Sequence, residues 1–128
     1  MRYAQEIAHE GVLWVNISRQ NEKELGEIQK RFGLLKADIL ESLPPFQRPK
    51  MVKRDGYYFI VLHFPVFDRE TRRLGFTEVD FFMNASYCIT IHDGKLAIID
   101  AIFSECKKDE SVRAKCMNGT ATHIIFID

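Results

Sequence analysis

The sequence lacks most of the features that mark a secreted, membrane-spanning or nucleic-acid-binding protein. Its three cysteines among 128 residues, Cys88, Cys106 and Cys116, are odd in number and without CxxC spacing. That argues against a disulfide framework and makes a reduced, cytosolic compartment the expectation. There is no excess of either charge, with 18 Lys and Arg against 18 Asp and Glu, so no basic surplus exists for nucleic acid or an anionic membrane. No window approaches the roughly 20 apolar residues that a membrane helix requires. The first residues carry Glu6, His9 and Glu10 where a signal peptide would hold an apolar core. GxSxG, P-loop, GxGxxG, HxxxH and HExxH are all missing, and His9, His63, His92 and His123 are scattered. With no nucleophile and base at recognisable spacing, an enzyme is not expected.

What is present is the composition of one ordinary globular domain, 46% hydrophobic and 28% charged. The longest apolar run, Tyr57–Phe64, is stopped by Pro65 and reads as a central strand buried on both faces, the middle of a sheet. Asp55-Gly56 before it is a turn signal, so Pro49–Arg54 is expected to pair back on it. Upstream, Val12–Ile17 reads as a strand with Leu13, Val15 and Ile17 on one face and Trp14 on the other, both covered. Tyr3 and Ile7 belong to an irregular arm or an edge strand.

Asn21 with Glu24 forms a capping box, Leu25, Ile28 and Phe32 follow at helical spacing, and Gly33 sits where a left-handed cap belongs. A second helix over Leu34–Leu43 places Leu35, Ile39 and Leu43 on one stripe and ends at Pro44-Pro45. Phe67–Gly75 reads as a charged, solvated loop. Glu78–Met83 and Tyr87–His92 form an antiparallel hairpin across Asn84-Ala85-Ser86, and Asp93-Gly94 leads into a helix with Leu96, Ile99, Ile102, Phe103 and Cys106 on one stripe. Thr120–Ile127 is ambiguous between strand and helix. The apolar end Ile124–Ile127, with no polar tail, suggests a sequence cut from something longer. The segregated order of strand, helices, strands and helices predicts α+β, with a mixed sheet covered by helices on both faces.

For chemistry, Cys88 and Cys106 read as small core residues and Cys116 as an exposed, unactivated thiol. Cys116-Met117-Asn118, in a polar setting, carries no weight as a motif. Arg48, Lys50, Lys53 and Arg54 read as the outer face or end of an edge strand. Asp38, at the edge of the second helix's apolar stripe, and Glu41 one turn on offer two oxygen ligands of the kind a hard cation such as Mg2+ takes. Acids on exposed helix faces are also common, and the pattern alone stops at an α+β domain.

Several segments in this order carry a resemblance. They are Leu13-Trp14-Val15-Asn16-Ile17, Arg31-Phe32-Gly33-Leu34, Ala37-Asp38-Ile39-Leu40, Gln47-Arg48-Pro49-Lys50-Met51-Val52, Tyr58–Leu62, Glu78–Met83 and Cys88–His92. Together, from Val12 to Asp128, they resemble the N-terminal cytoplasmic domain of the CorA family of Mg2+ channels and transporters. The resemblance implies a three-layer α/β/α sandwich, mostly antiparallel, as one domain over 1–128 that ends before a stalk helix and membrane region. It implies a regulatory domain that senses intracellular cation and gates a homopentameric channel for Mg2+, with Co2+, Ni2+ and Zn2+ handled by related members. Asp38 would be half of an intersubunit regulatory site completed by a carboxylate on a neighbour's stalk helix, with Glu41 a weaker candidate. Ala37 stands where family members often carry another acid, which weakens metal binding.

The same resemblance implies that Thr120–Ile127 begins a helix and that the Gly-Met-Asn filter lies elsewhere. The expected cofactor is regulatory Mg2+, bound weakly by the isolated domain. The expected assembly is a pentamer in the full-length protein and a monomer or weak oligomer as a fragment. The expected place is the cytoplasmic side of an inner or plasma membrane. A stand-alone interaction or ligand-binding domain with no transport role is the alternative, because fold does not fix function.

Overall fold

The computed structural model describes residues 4–18, 21–45 and 47–117. The chain opens with a tight hairpin of β1 (Ala4–His9) and β2 (Val12–Ile17), turning at Glu10 and Gly11, both at positive φ. Residue 21 then starts α1 (Glu22–Phe32), where Asn21 Oδ1 accepts the Glu24 backbone N–H at 2.9 Å. Gly33 at φ 67 closes that helix with its N–H on the Gln29 carbonyl. A left-handed cap of this kind suits glycine because no Cβ meets the preceding carbonyl.

After α2 (Lys36–Glu41) come β3 (Lys50–Lys53), β4 (Tyr58–Asp68), β5 (Arg73–Met83) and β6 (Tyr87–His92), then α3 (Ala97–Lys108) and α4 (Glu110–Cys116). The strands form one six-stranded sheet in the order β1-β2-β6-β5-β4-β3. Among the described strands only the β2–β6 pairing is parallel; the others are antiparallel. This is the expected α+β class with a mixed, mostly antiparallel sheet.

Strand alternation sends side chains to two separate cores. On one face Val15, Ile17, Phe59, Val61, Phe82, Ile89 and Ile91 meet Leu25 and Ile28 of α1 and Ile39 of α2. Phe59 stacks on Phe82 at 4.6 Å between centroids. On the other face Trp14, Val79, Phe81, Met83 and Cys88 meet Phe103 and Cys106 of α3 and Cys116 and Met117 at the end of α4. Trp14 packs edge-on against Phe103 at 4.9 Å. Helices therefore cover both faces, and Leu13, Val15 and Ile17 do lie opposite Trp14.

Four expectations need correction. The Tyr57–Phe64 run is not the middle of the sheet: β4 is next to the edge, and β6 and β5 are central. Phe59 and Val61 are buried, but the alternate residues Tyr58, Ile60, Leu62 and Phe64 are exposed to half-buried, because the α3 face is covered mainly over β2, β6 and β5. The charged stretch from Phe67 to Gly75 is mostly strand, since β4 and β5 stay paired out to Asp68 and Arg73 around a short tip.

The second helix is shorter than its leucine stripe, because Leu35 is its extended N-cap and half-exposed, and Leu43 lies past its end. Cys116 is buried rather than exposed, because α4 folds its last turn onto the α3 face. Ile7 lies on the edge strand β1 as expected. Tyr3, Asn118, Thr120–Ile127 and His123 fall outside the described residues.

Candidate functional site

The short helix α2 lies over the turn that joins β3 to β4, and that contact decides the setting of Asp38. Asp38 is in the first turn of α2 and is 1% exposed. Arg54, at the end of β3, reaches it as a fork, with Nε donating to Oδ2 at 3.0 Å and Nη2 to Oδ1 at 2.8 Å. Tyr57, at the start of β4, donates its hydroxyl to Asp38 Oδ2 at 2.6 Å and accepts the Leu35 backbone N–H at 3.1 Å. A carboxylate offers about four lone-pair positions, and three of these are engaged within the chain. Burial, then the bond to Asp38, pushes the Tyr57 hydroxyl up to about 12. The bond to Asp38 likewise raises the Arg54 guanidinium above its ordinary value.

Glu41 faces the same way one turn on and is bonded to Lys50 Nζ at 2.7 Å. Both acids singled out in the sequence therefore sit together on α2, and each is met by a basic residue of the Arg48–Arg54 stretch. That stretch is thus not a plain solvated edge. Lys50 and Arg54 face α2, while Met51 points out and is exposed. Among the described residues no group of three or more His, Cys, Asp or Glu side chains gathers as a metal site would.

Beneath the C-terminal end of α2 lies a pair of acids that sequence reasoning missed. Glu78 and Asp80 are two residues apart on β5, so both point to the α2 face, and they are 6% and 1% exposed. Glu78 Oε1 accepts the Gln47 backbone N–H at 2.6 Å. Among the described residues neither oxygen of Asp80 has a hydrogen-bond partner. Burial, then Glu78 beside it, pushes the Asp80 carboxyl up to about 9. The available signal was Thr77-Glu78-Val79-Asp80-Phe81-Phe82, where acids occupy the alternate positions that ought to be core.

The opposite face holds a second polar cluster. Trp14 Nε1 donates to Thr90 Oγ1 at 3.0 Å, and Thr90 donates to Asn16 Oδ1 at 2.7 Å. Asn16 Nδ2 donates to Asp100 of α3 at 2.8 Å. The fully buried His92 places Nε2 3.1 Å from Asn16 Oδ1, and its Nδ1 accepts the Gly94 N–H at 3.1 Å. An Nδ1 that accepts leaves the proton on Nε2, so this ring is neutral. Burial lowers its basicity, opposed by Asp100 and Asp93. A polar pocket of about 220 Å3 lined by Asn16, Ser18 and Asp100 opens this cluster to water.

The other candidates are dispersed. His63 is half-buried on β4 with Nε2 2.7 Å from the Gln47 carbonyl, and His9 sits 3.9 Å from Glu10 at the β1–β2 turn. Cys88, Cys106 and Cys116 are free thiols and all buried. Burial pushes Cys88 and Cys106 up to about 12, so neither is a ready thiolate. Among the described residues no helix is long and apolar enough to cross a membrane.

Comparison with known proteins bears on the fold and the family. The soluble domain of CorA from Methanocaldococcus jannaschii superimposes with a TM-score of 0.66 at 20% identity, over 81% of this chain and 41% of that one. The complete CorA magnesium transporter from Methanocaldococcus jannaschii gives 0.63 at 19% identity, over 84% and 33%. The full-length CmaX protein gives 0.69 at 15% identity, over 89% and 33%. At these identities the likeness shows the fold, and the chain spans less than half the length of each of these proteins. No curated protein matches the chain. The family model described as CorA-like Mg2+ transporter protein matches residues 9–126, nearly the whole chain, and the chain belongs to that family.

Proposed function

We propose that the chain is the cytoplasmic regulatory domain of a CorA-like divalent-metal transporter, which senses intracellular cation and gates a homopentameric channel. Mg2+ is the favoured ion, with Co2+, Ni2+ and Zn2+ as alternatives. The observation that carries this reading is the family match over residues 9–126 on a fold shared with the soluble domain of CorA. In this proposal the domain ends before a stalk helix and a membrane region that belong to the same polypeptide. Bound cation favours the closed ring and its loss favours opening, a population shift set by differential binding to the two states.

Within the proposal Asp38 supplies one ligand, and a carboxylate on a neighbouring copy supplies another. The cation reaches Asp38 in competition with Arg54, which already holds both oxygens. Glu41, held by Lys50, is not needed as a ligand. A cation that must displace a fixed guanidinium and keeps mostly water ligands binds weakly to a single copy of the domain.

The test is Mg2+ uptake by the full-length protein in proteoliposomes under a membrane potential. Uptake that stops as internal Mg2+ rises is the expected result. A full-length protein that moves no divalent cation overturns the transporter reading. One observation favours the alternative of an interaction domain without transport: Phe67, Leu74 and Phe76 form an exposed apolar face on the β4–β5 hairpin. That alternative predicts an intact fold and no flux.

A further inference from the structure

Asp80 breaks the rule that buried polar groups are bonded. It lies on β5, one of the two central strands, and among the described residues neither of its oxygens has a hydrogen-bond partner. Its polar neighbours are Glu78 on its own strand and Ser42, which caps the C-terminal end of α2; Glu41 acts on it from farther along that helix.

The charges facing this pair do not balance. From α2, Glu41 adds a third acid, and the Lys50 ammonium on β3 is already committed to it at 2.7 Å. Arg54 is committed to Asp38. From β4, His63 stands 3.8 Å from Glu78 Oε1 and faces the Gln47 carbonyl at 2.7 Å. From β6, the residue beside Asp80 is Ile91. Glu78 takes one backbone N–H, from Gln47. Among the described residues no Lys or Arg is bonded to either carboxylate, and two carboxylates buried side by side without one are costly enough that one of them takes up a proton instead.

We propose that Glu78 and Asp80 together bind one proton, held by Asp80 and donated toward Glu78, and that this proton seats the C-terminal end of α2 on the sheet. The proton supplies what the geometry lacks, since a protonated Asp80 donates a hydrogen bond and the pair then carries a single negative charge. The direction in which burial and Glu78 move the Asp80 carboxyl, up to about 9 from 3.8, agrees with this. Between those two values the folded chain holds a proton that the unfolded chain has lost. Rising pH therefore works against the fold throughout that window, and above it the proton leaves and Ser42 faces a buried charge. The inference concerns this chain alone and stands or falls separately from the transporter reading.

The experiment follows the side-chain carboxyl carbons by NMR through a pH titration, together with the Ser42 amide. In wild type, Asp80 is expected to titrate near 9, with the Ser42 amide moving at the same midpoint. In Glu78→Gln, which keeps the shape and removes the acceptor charge, the Asp80 midpoint is expected to fall by a unit or more, on the order of one lost close charge interaction. A wild-type midpoint in the ordinary aspartate range, or one unmoved by Glu78→Gln, overturns the shared proton. A Ser42 amide indifferent to that step overturns the link to α2.

Melting of Asp80→Asn is a second readout. The variant is expected to melt above wild type by a margin that widens from about pH 5 to about pH 8. A margin that stays constant with pH contradicts the proposal.

Discussion

The two faces of the sheet bury polar groups in opposite ways. On the α3 face, Trp14, Thr90, Asn16, His92 and Asp100 form a chain of donors and acceptors that runs from the core to a water-accessible pocket. On the α2 face each acid depends on finding a base. Asp38 has Arg54 and Glu41 has Lys50, whereas among the described residues Glu78 has only the His63 imidazole at 3.8 Å and Asp80 has no bonded partner. The one acid of the α3-face network, Asp100, is part-exposed and bonded by an amide, so water shares its charge, whereas acids buried out of reach of water need a cation or a proton. Accordingly the proposed cation site and the proposed proton site both fall on the α2 face.

Substitutions that break this contrast rank by how many buried groups they leave without partners. Asn16→Ala comes first, because it strips partners from Thr90, His92 and Asp100 together. A loss of roughly 3 to 4 kcal/mol is expected in urea unfolding. An effect under roughly 1 kcal/mol would mean that water replaces the amide without cost.

Next is Asp38→Ala, expected to cost about 2 kcal/mol because it leaves the buried Tyr57 hydroxyl without its acceptor, while the part-exposed Arg54 turns to water. The third is a pH effect on the α3 face. Burial holds His92 below its ordinary 6.5, so the unfolded chain binds a proton there more readily than the folded one. The stability from this residue is complete above 6.5 and is lost as pH falls below it. His92→Gln is expected to flatten this acid limb of the melting curve, and an unchanged limb would shift the acid sensitivity to the carboxylates. Smallest is Tyr57→Phe, expected to cost about 1 kcal/mol, because Asp38 keeps both bonds from Arg54.

What could be read from the sequence follows from how far apart in the chain the deciding residues lie. Helix α1 was legible to its caps, because Asn21, Glu24 and Gly33 act within the helix itself. The Val12–Ile17 alternation was legible for the same local reason. Asp38 as a candidate was legible from its place on α2 and from the family resemblance, but its burial was not. Its partners are 16 and 19 residues away, on a turn that only β3–β4 pairing brings beneath α2.

The apolar run of β4 misled for a related reason. Its composition suits a strand covered on both sides, yet position in the sheet is set by the parallel β2–β6 pairing, to which β4 contributes nothing. Cys116 was misread because its own neighbours are polar and the core that buries it is built from other parts of the chain, Cys106 of α3 among them. Asp80 was passed over because alternation on β5 aligns it with Glu78 on one face, but only the tertiary fold buries that face.

The central claim, that Asp38 links cation concentration to gating, is tested by measuring the internal Mg2+ concentration at which uptake by the full-length protein is half-closed. Wild type, Asp38→Ala and Asp80→Asn are compared in the same proteoliposomes. The account predicts a threshold several-fold higher in Asp38→Ala, on the order of one lost coordinating interaction, and close to wild type in Asp80→Asn. An unchanged threshold in Asp38→Ala would contradict it.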